Sequence, residues 1–360
     1  VGEVEVGGVG TGGVRVGAAR RVARRWVARE GAALPGFAGA FLTGSALWAP
    51  AGTLLGPASD VDVMVVLDAA EPPVKPGKFR YDGVLLEVSY LPAARLGSAE
   101  DVLRDHHLAG AFHLPGVLAD PTGRLEALHR TVSGEFAAPR WVRARTAAVL
   151  DLIRRTLDQV EPAAERQGSA VRPEAVNAWL FGTGITAHVP LVAALRNPTV
   201  RSRYAATREL LAGHGLPHHH ERLLELLGCA ELGADRVERH LGVLERAFDA
   251  AERVTAASYP FASDVSASGR PVSIGGSRDL IARGLHREAV FWLVATYARC
   301  LTKLSLAGAD GSPYEDGFRD LLADLGADTP ARRHRRAEEV RAALPWLRGL
   351  AEELTVRHAR

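Results

Sequence analysis

The chain has 360 residues, 47% of them hydrophobic and 24% charged, with a net charge of +2. That length predicts two domains, or three, and the composition excludes a disordered chain. No apolar run reaches the ~20 residues that span a bilayer, and two cysteines, Cys229 and Cys300, exclude a disulfide framework or a cysteine-built metal knuckle.

Residues 1–16 (VGEVEVGGVGTGGVRV) are low in complexity and are assigned no function. They fit a frayed end, an edge strand or a leader. No basic start followed by an apolar stretch and a small-residue cleavage site occurs, so the expected location is the cytoplasm. A helix is predicted from about Ala18 to Glu30, with Val22, Trp26 and Val27 at helical spacing. Short β-type runs follow. Ala38–Leu42 leads into Thr43-Gly44-Ser45, and Val61–Leu67 is a strand preceded and interrupted by acids. EPPVKPGK (71–78) breaks the chain, and Val84–Leu91 is the next strand. A helical stretch near 98–110 precedes GVLADPTGR (116–124), a strand that ends in a turn.

From Pro139 onward the pattern is helical almost throughout. Val142, Val149, Ile153 and Leu157 form one apolar stripe; Val237, Leu241, Leu244 and Phe248 form another. Leu285–Leu306 is apolar on most sides, as a central buried helix would be. The one long irregular stretch is 259–277, either a linker between two helical halves or a loop over an active site. The expected organisation is a low-complexity segment at 1–16, an α+β unit at 17–136 and a helical unit at 137–360. The helical unit is either continuous or two halves joined at 259–277.

The chemistry lies in LTGSALWAPAGTLLGPASDVDVMVVL (42–67). Asp60 and Asp62 are two apart at the head of a β-type run, so both carboxylates project from one face, ~6–7 Å apart along the backbone. Two like charges at the end of a buried strand are costly to desolvate. A divalent cation removes that cost, and hard oxygen ligands suit Mg²⁺. Glu87, set among Leu85, Leu86, Val88 and Tyr90, must face solvent or serve a site. If its strand lies beside the Asp strand it completes a three-carboxylate cluster, as a metal ligand or as a proton acceptor. Upstream, Gly44 lets backbone approach a phosphate, and the Ser45 hydroxyl can donate to it.

Gly44-Ser45, Asp60-Val61-Asp62 and Glu87, in that order on strands, resemble the polymerase-β-like nucleotidyltransferase superfamily. The layout is closest to bacterial enzymes that nucleotidylate streptomycin or spectinomycin. The leucine-glutamate-valine context of Glu87 and the ADPTG turn at 119–123 are also similar to that group. The resemblance covers roughly residues 17–135, and beyond that it is architectural. It implies an α+β fold, a mixed-sheet catalytic domain followed by an all-α domain. It also implies two Mg²⁺ ions held by Asp60, Asp62 and Glu87, with ATP or another NTP as co-substrate. The implied reaction moves a nucleoside monophosphate to a hydroxyl of an aminoglycoside-like antibiotic or a biosynthetic intermediate, so antibiotic resistance is one implied role. Two departures stand out. Fourteen residues, Ala46–Ser59, separate Ser45 from Asp60, and the arginine often found soon after Gly-Ser is replaced by Ala46 and Leu47.

All but three of the 44 basic residues are arginine; the lysines are Lys75, Lys78 and Lys303. Coding bias accounts for such an excess, and so does an arginine-lined anion site. Acids spread along the chain exclude a nucleic-acid binder. Lys303, on the apolar helix 290–304 with Arg299 one turn earlier, needs either a triphosphate or a neighbouring acid. Arg201, Arg203 and Arg208 beside Tyr204 either close over a nucleotide or form a basic helix face. Lys75 and Lys78 are expected in a solvated hairpin, and Trp48 in packing or under a base. His106, His107 and His113 face the acceptor pocket or serve as surface or core histidines. His218-His219-His220 is a solvated helix start or a metal tract, and Gly275-Gly276-Ser277 is a helix N-cap. Glu174 and Glu288 are the acids available to a cationic acceptor. Two other functions fit the same residues: AMP transfer to a protein or RNA, as in toxin-type enzymes, and a nucleotide-sensing or partner-binding module with a vestigial site.

Overall fold

The computed structural model describes residues 13–160 and 172–358, so the low-complexity segment lies outside the described residues except for its last four positions. The molecule is α+β, with a five-stranded mixed sheet and a large helical part. The strands are β1 (Phe37–Thr43), β2 (Val61–Leu67), β3 (Gly77–Tyr81), β4 (Val84–Pro92) and β5 (Val117–Ala119), in the order β3-β4-β2-β1-β5. β2 and β4 are parallel and the other pairs are antiparallel. Around them lie α1 (Val16–Arg29), the short α2 (Gly44–Trp48), α3 (Ala99–Arg104), α4 (His106–His113) and α5 (Arg124–Glu135).

Helix α1 buries the Val22, Trp26 and Val27 stripe that its spacing predicts. Arg20, on the same helix, donates to the carbonyls of Ala46 (2.7 Å), Leu47 (2.8 Å) and Ala49 (2.6 Å), satisfying the open end of α2. β3 differs from expectation: residues 77–81 are a strand, and a tight Asp82-Gly83 turn joins them to β4. Asp82 and Gly83 have φ of 45° and 76°, the left-handed pair that a two-residue hairpin requires. Asp120, in the turn after β5, accepts from the Glu126 N–H (2.9 Å) and anchors α5.

The helical part comprises α6 (Pro139–Leu157), α7 (Pro173–Gly184), α8 (His188–Ala193), α9 (Arg203–Gly213), α10 (Pro217–Leu227) and α11 (Ala234–Glu252). It continues with α12 (Gly276–Ala282), α13 (His286–Leu306), α14 (Ser312–Asp324) and α15 (Pro330–His358). α13 is its buried axis, as its all-round apolarity predicts. One core joins residues from Val149 to Leu354, and a second, from Ala19 to Val132, lies under the sheet. The helical core is therefore continuous across 259–277, and that stretch is not a linker between halves. It forms the turn Ala262–Val265 and a wide π-type turn, Pro271–Gly275, and the first of these packs on β3. Gly275 stands at the N-cap of α12, as expected, in helical backbone geometry and with no side-chain cap bond; Ser277, buried in the first turn, donates to the Ser273 carbonyl (3.2 Å).

Buried arginines grip carbonyl oxygens throughout. Arg145 donates to Leu103 (3.2 Å) and Phe136 (2.6 Å) where the sheet part meets α6, and Arg203 donates to Val200 (2.7 Å).

Candidate active site

Strand register assembles the site. Thr43 on β1 pairs with Asp62 on β2, Asp62 with Glu87 on β4, and Glu87 with Lys78 on β3. These four residues form one row across the sheet. Paired residues share a face, so the row's side chains project together, while Val61, Val63, Leu86 and Val88 fill the core beneath. Asp60 enters just before β2. One carboxylate oxygen from each of Asp60, Asp62 and Glu87 lies within 4.8 Å of the others.

Gly44 makes room for this cluster. Its φ is +63°, and a Cβ there would stand 1.9 Å from Asp62 Oδ2. No side chain fits at that position.

Lys78 carries positive charge into the cluster. Its ammonium reaches Asp60 Oδ2 (2.9 Å), Glu87 Oε2 and Asp264 Oδ1 (3.1 Å), and its side chain is only 4% exposed. Lys75 adds a bond to Glu87 Oε1 (2.9 Å) and lies over the Phe261 ring. The expected solvated hairpin is overturned here, because the helical part lays Asp264 against Lys78 and Phe261 against Lys75. Gly77, with φ +68°, lets that segment close in; a Cβ there would collide with Ser263.

The charges respond accordingly. Burial pushes Asp60 up, and Lys78 only partly offsets it. Burial, then Asp60 and Glu87, push Asp62 well above the usual carboxylate range. Burial also opposes charge on Glu87, but Lys78 and Lys75 override it and hold its carboxyl at about 2. Lys78 pays for burial yet is held firmly protonated by Asp60, Asp264 and Glu87. Asp62 alone among the three acids has no ion pair among the described residues.

The cluster opens on a cavity of about 1220 Å³ between the sheet and the helices. Gly44, Ser45, Asp60, Asp62 and Glu87 line one side, and Arg201 and Arg299 reach it from the helical part. Arg201 also donates to the Ala58 carbonyl (3.4 Å). Arg299 pairs with Asp264 Oδ2 (3.2 Å) and stacks over Phe261 and Trp292. Trp48 lines the cavity while packing on His113 and Phe136.

Several expected residues lie elsewhere. Lys303 does not line the cavity: its ammonium is buried and donates to the Val265 carbonyl (2.6 Å), holding the 259–277 segment instead of a nucleotide. Glu288 is buried, 2.9 Å from Arg208 and 3.0 Å from His220, and Glu174 is exposed and accepts from Thr302 (3.2 Å); neither lines the cavity. His218–His220 lie at a helix start, in the first turn of α10, with His220 buried. Arg203 and Tyr204 are interior. The acids that do line the cavity beyond the cluster are Asp105, Glu209 and Asp264. Arg299 gave one signal in the sequence, charge inside an otherwise apolar helix; Asp264 and Glu209 gave none.

No protein-family model matches the chain, and no curated protein matches it.

Proposed function

We propose that this chain is a Mg²⁺-dependent nucleotidyltransferase of the polymerase-β-like kind. It moves a nucleoside monophosphate, with AMP from ATP the first candidate, to a hydroxyl of a small molecule and releases pyrophosphate. The carrying observation is the convergence of Asp60, Asp62 and Glu87 at the floor of a large cavity. The acceptor is of the aminoglycoside-like or hydroxylated-intermediate class.

The residues fit a metal of the hard-oxygen class. Their donors are all carboxylate oxygens, Gly44 keeps the space beside Asp62 open, and a cation already sits among them in the form of the Lys78 ammonium. Mg²⁺ bound there supplies charge neutralisation and acidifies the acceptor hydroxyl. In the transfer, the hydroxyl oxygen attacks the α-phosphorus, the bond to the β-phosphate oxygen breaks, and the hydroxyl proton passes to a carboxylate. Asp60, Asp62 and Glu87 would ligate the ion, and Glu87, beside Asp62 in the strand register, is the candidate to take that proton, with ligation its alternative role. Arg201 and Arg299, on the cavity wall, offer the phosphate grip that Ala46 and Leu47 do not. Asp105 and Glu209 offer negative charge to a cationic acceptor.

The test is a pyrophosphate-release screen of the four NTPs against hydroxylated compounds, with and without Mg²⁺. Asp62→Asn is expected to abolish release with circular dichroism unchanged. Near-normal turnover in that variant defeats the assignment.

A further inference from the structure

We propose a second metal site on the same cavity, built by His106, His107 and His188 and suited to a borderline divalent ion of the zinc class. It is independent of the nucleotidyltransferase reading, since it shares no residue with the carboxylate cluster.

His106 and His107 open α4, and His188 opens α8, so the three imidazoles come from both parts of the molecule. One ring nitrogen of each lies within 4.8 Å of the others. The ring centroids are 4.1 Å apart for His106–His107, 5.8 Å for His106–His188 and 5.7 Å for His107–His188. His188 Nε2 is 3.0 Å from the Thr199 carbonyl, which can only accept, so Nε2 carries the hydrogen and Nδ1 carries the lone pair. That Nδ1 is buried and unpartnered, and so is His106 Nε2. An imidazole whose far N–H is fixed by a carbonyl, leaving the near nitrogen idle, is the arrangement that metal-binding histidines use. His107 lines the cavity, so three protein nitrogens would leave an outward position for water or substrate.

The surrounding charges are Arg203 and Asp105. The Arg203 guanidinium donates through Nε to the Val200 carbonyl and lies over the Phe291 ring, 4.0 Å away, with its Nη1 buried and unpartnered. Asp105 accepts from the backbone N–H of His107 (2.9 Å) and Leu108 (3.0 Å) and brings the opposite sign. Nitrogen donors select zinc-class ions where the carboxylate cluster selects Mg²⁺. The two sites are therefore distinguishable by donor chemistry.

The experiment is metal titration of chelator-treated full-length protein: Zn²⁺ by calorimetry, and Co²⁺ by its visible ligand-field bands. One high-affinity Zn²⁺ per chain is expected, with nitrogen-ligand Co²⁺ bands. His107→Ala, at the cavity surface, and His188→Asn should each weaken Zn²⁺ at least ~10-fold. Asp62→Asn should leave Zn²⁺ binding unchanged, with His218–His220 intact in every variant. Absence of binding by the wild type overturns the proposal, as does binding that survives both histidine variants. Loss on Asp62→Asn alone places the ion at the carboxylates and also overturns it.

Discussion

Replacing Lys78 by Met removes the ammonium and keeps most of the side-chain volume. In the wild type that ammonium stands 2.9 Å from Asp60 and also contacts Glu87, so an incoming divalent ion competes with it for two of three carboxylates. One such contact is worth about 5–6 kcal/mol before solvation is counted, at an effective dielectric of ~20. Reorganisation and resolvation of the freed ammonium offset most of this. If a quarter survives, about 1.4 kcal/mol remains, tenfold in affinity. Lys78→Met is therefore expected to bind Mn²⁺ at least ~10-fold more tightly than wild type in the absence of nucleotide. The assay is Mn²⁺ titration followed by electron paramagnetic resonance, above neutral pH so that protons do not compete for the uncovered carboxylates. Near-ultraviolet circular dichroism checks that the variant is folded, and Lys78→Gln repeats the charge removal with a polar side chain. Equal or weaker Mn²⁺ binding in both folded variants refutes the competition.

Gly44→Ala forces an alanine into positive φ and drives its Cβ into Asp62; a loss of about 1–3 kcal/mol in urea unfolding and of Mn²⁺ binding is expected. Lys303→Met removes the bond to Val265, so limited proteolysis should cut within 259–277 faster while the helical content holds. Glu288 is held at about 2 against its ordinary 4.5: burial opposes its charge, and His220, its own backbone N–H and Arg208 overcome it. Because the folded value is the lower one, the stability it contributes is complete above pH 4.5 and is lost as pH falls toward 2. Glu288→Gln should cost about 2–3 kcal/mol at neutral pH, and the gap between variant and wild type should narrow in urea titrations below pH 4.5.

The sheet was legible where side chains alternate against a core. β2 and β4 follow from runs of Val and Leu broken at the right parity by Asp62 and Glu87, whereas the parallel pairing that sets those acids side by side is fixed by neither parity nor composition. β3 was hidden. Pro73, Pro76 and two lysines make 71–78 look like loop, although Asp82-Gly83 between KFRY and VLLEV is itself a strong hairpin signal. Missing that strand also hid the burial of Lys78, because a lysine reads as exposed until a partner is placed beside it. Asp264 was illegible for a different reason: its partner lies 186 positions away, and no local pattern encodes such a contact. Lys303 was recognised as needing a partner, but a backbone carbonyl satisfies it as well as a phosphate does, and sequence carries no information on which carbonyls are open.

The placement of the cavity bears on the choice among acceptors. A macromolecular substrate needs the carboxylates at an open rim, whereas here they lie under a roof supplied by the chain itself. The Ala262–Val265 turn packs on β3, Arg299 and Lys78 share Asp264, and Arg201 reaches across to Ala58. That closure favours a small acceptor that enters the 1220 Å³ space whole over a protein or RNA. The same closure argues against a vestigial module. A site kept only for shape would gain stability by replacing Asp62, which is half-buried, pushed toward protonation and without an ion pair among the described residues. Retaining an acid there costs folding free energy, and on the proposed reading a bound cation is the state that offsets it.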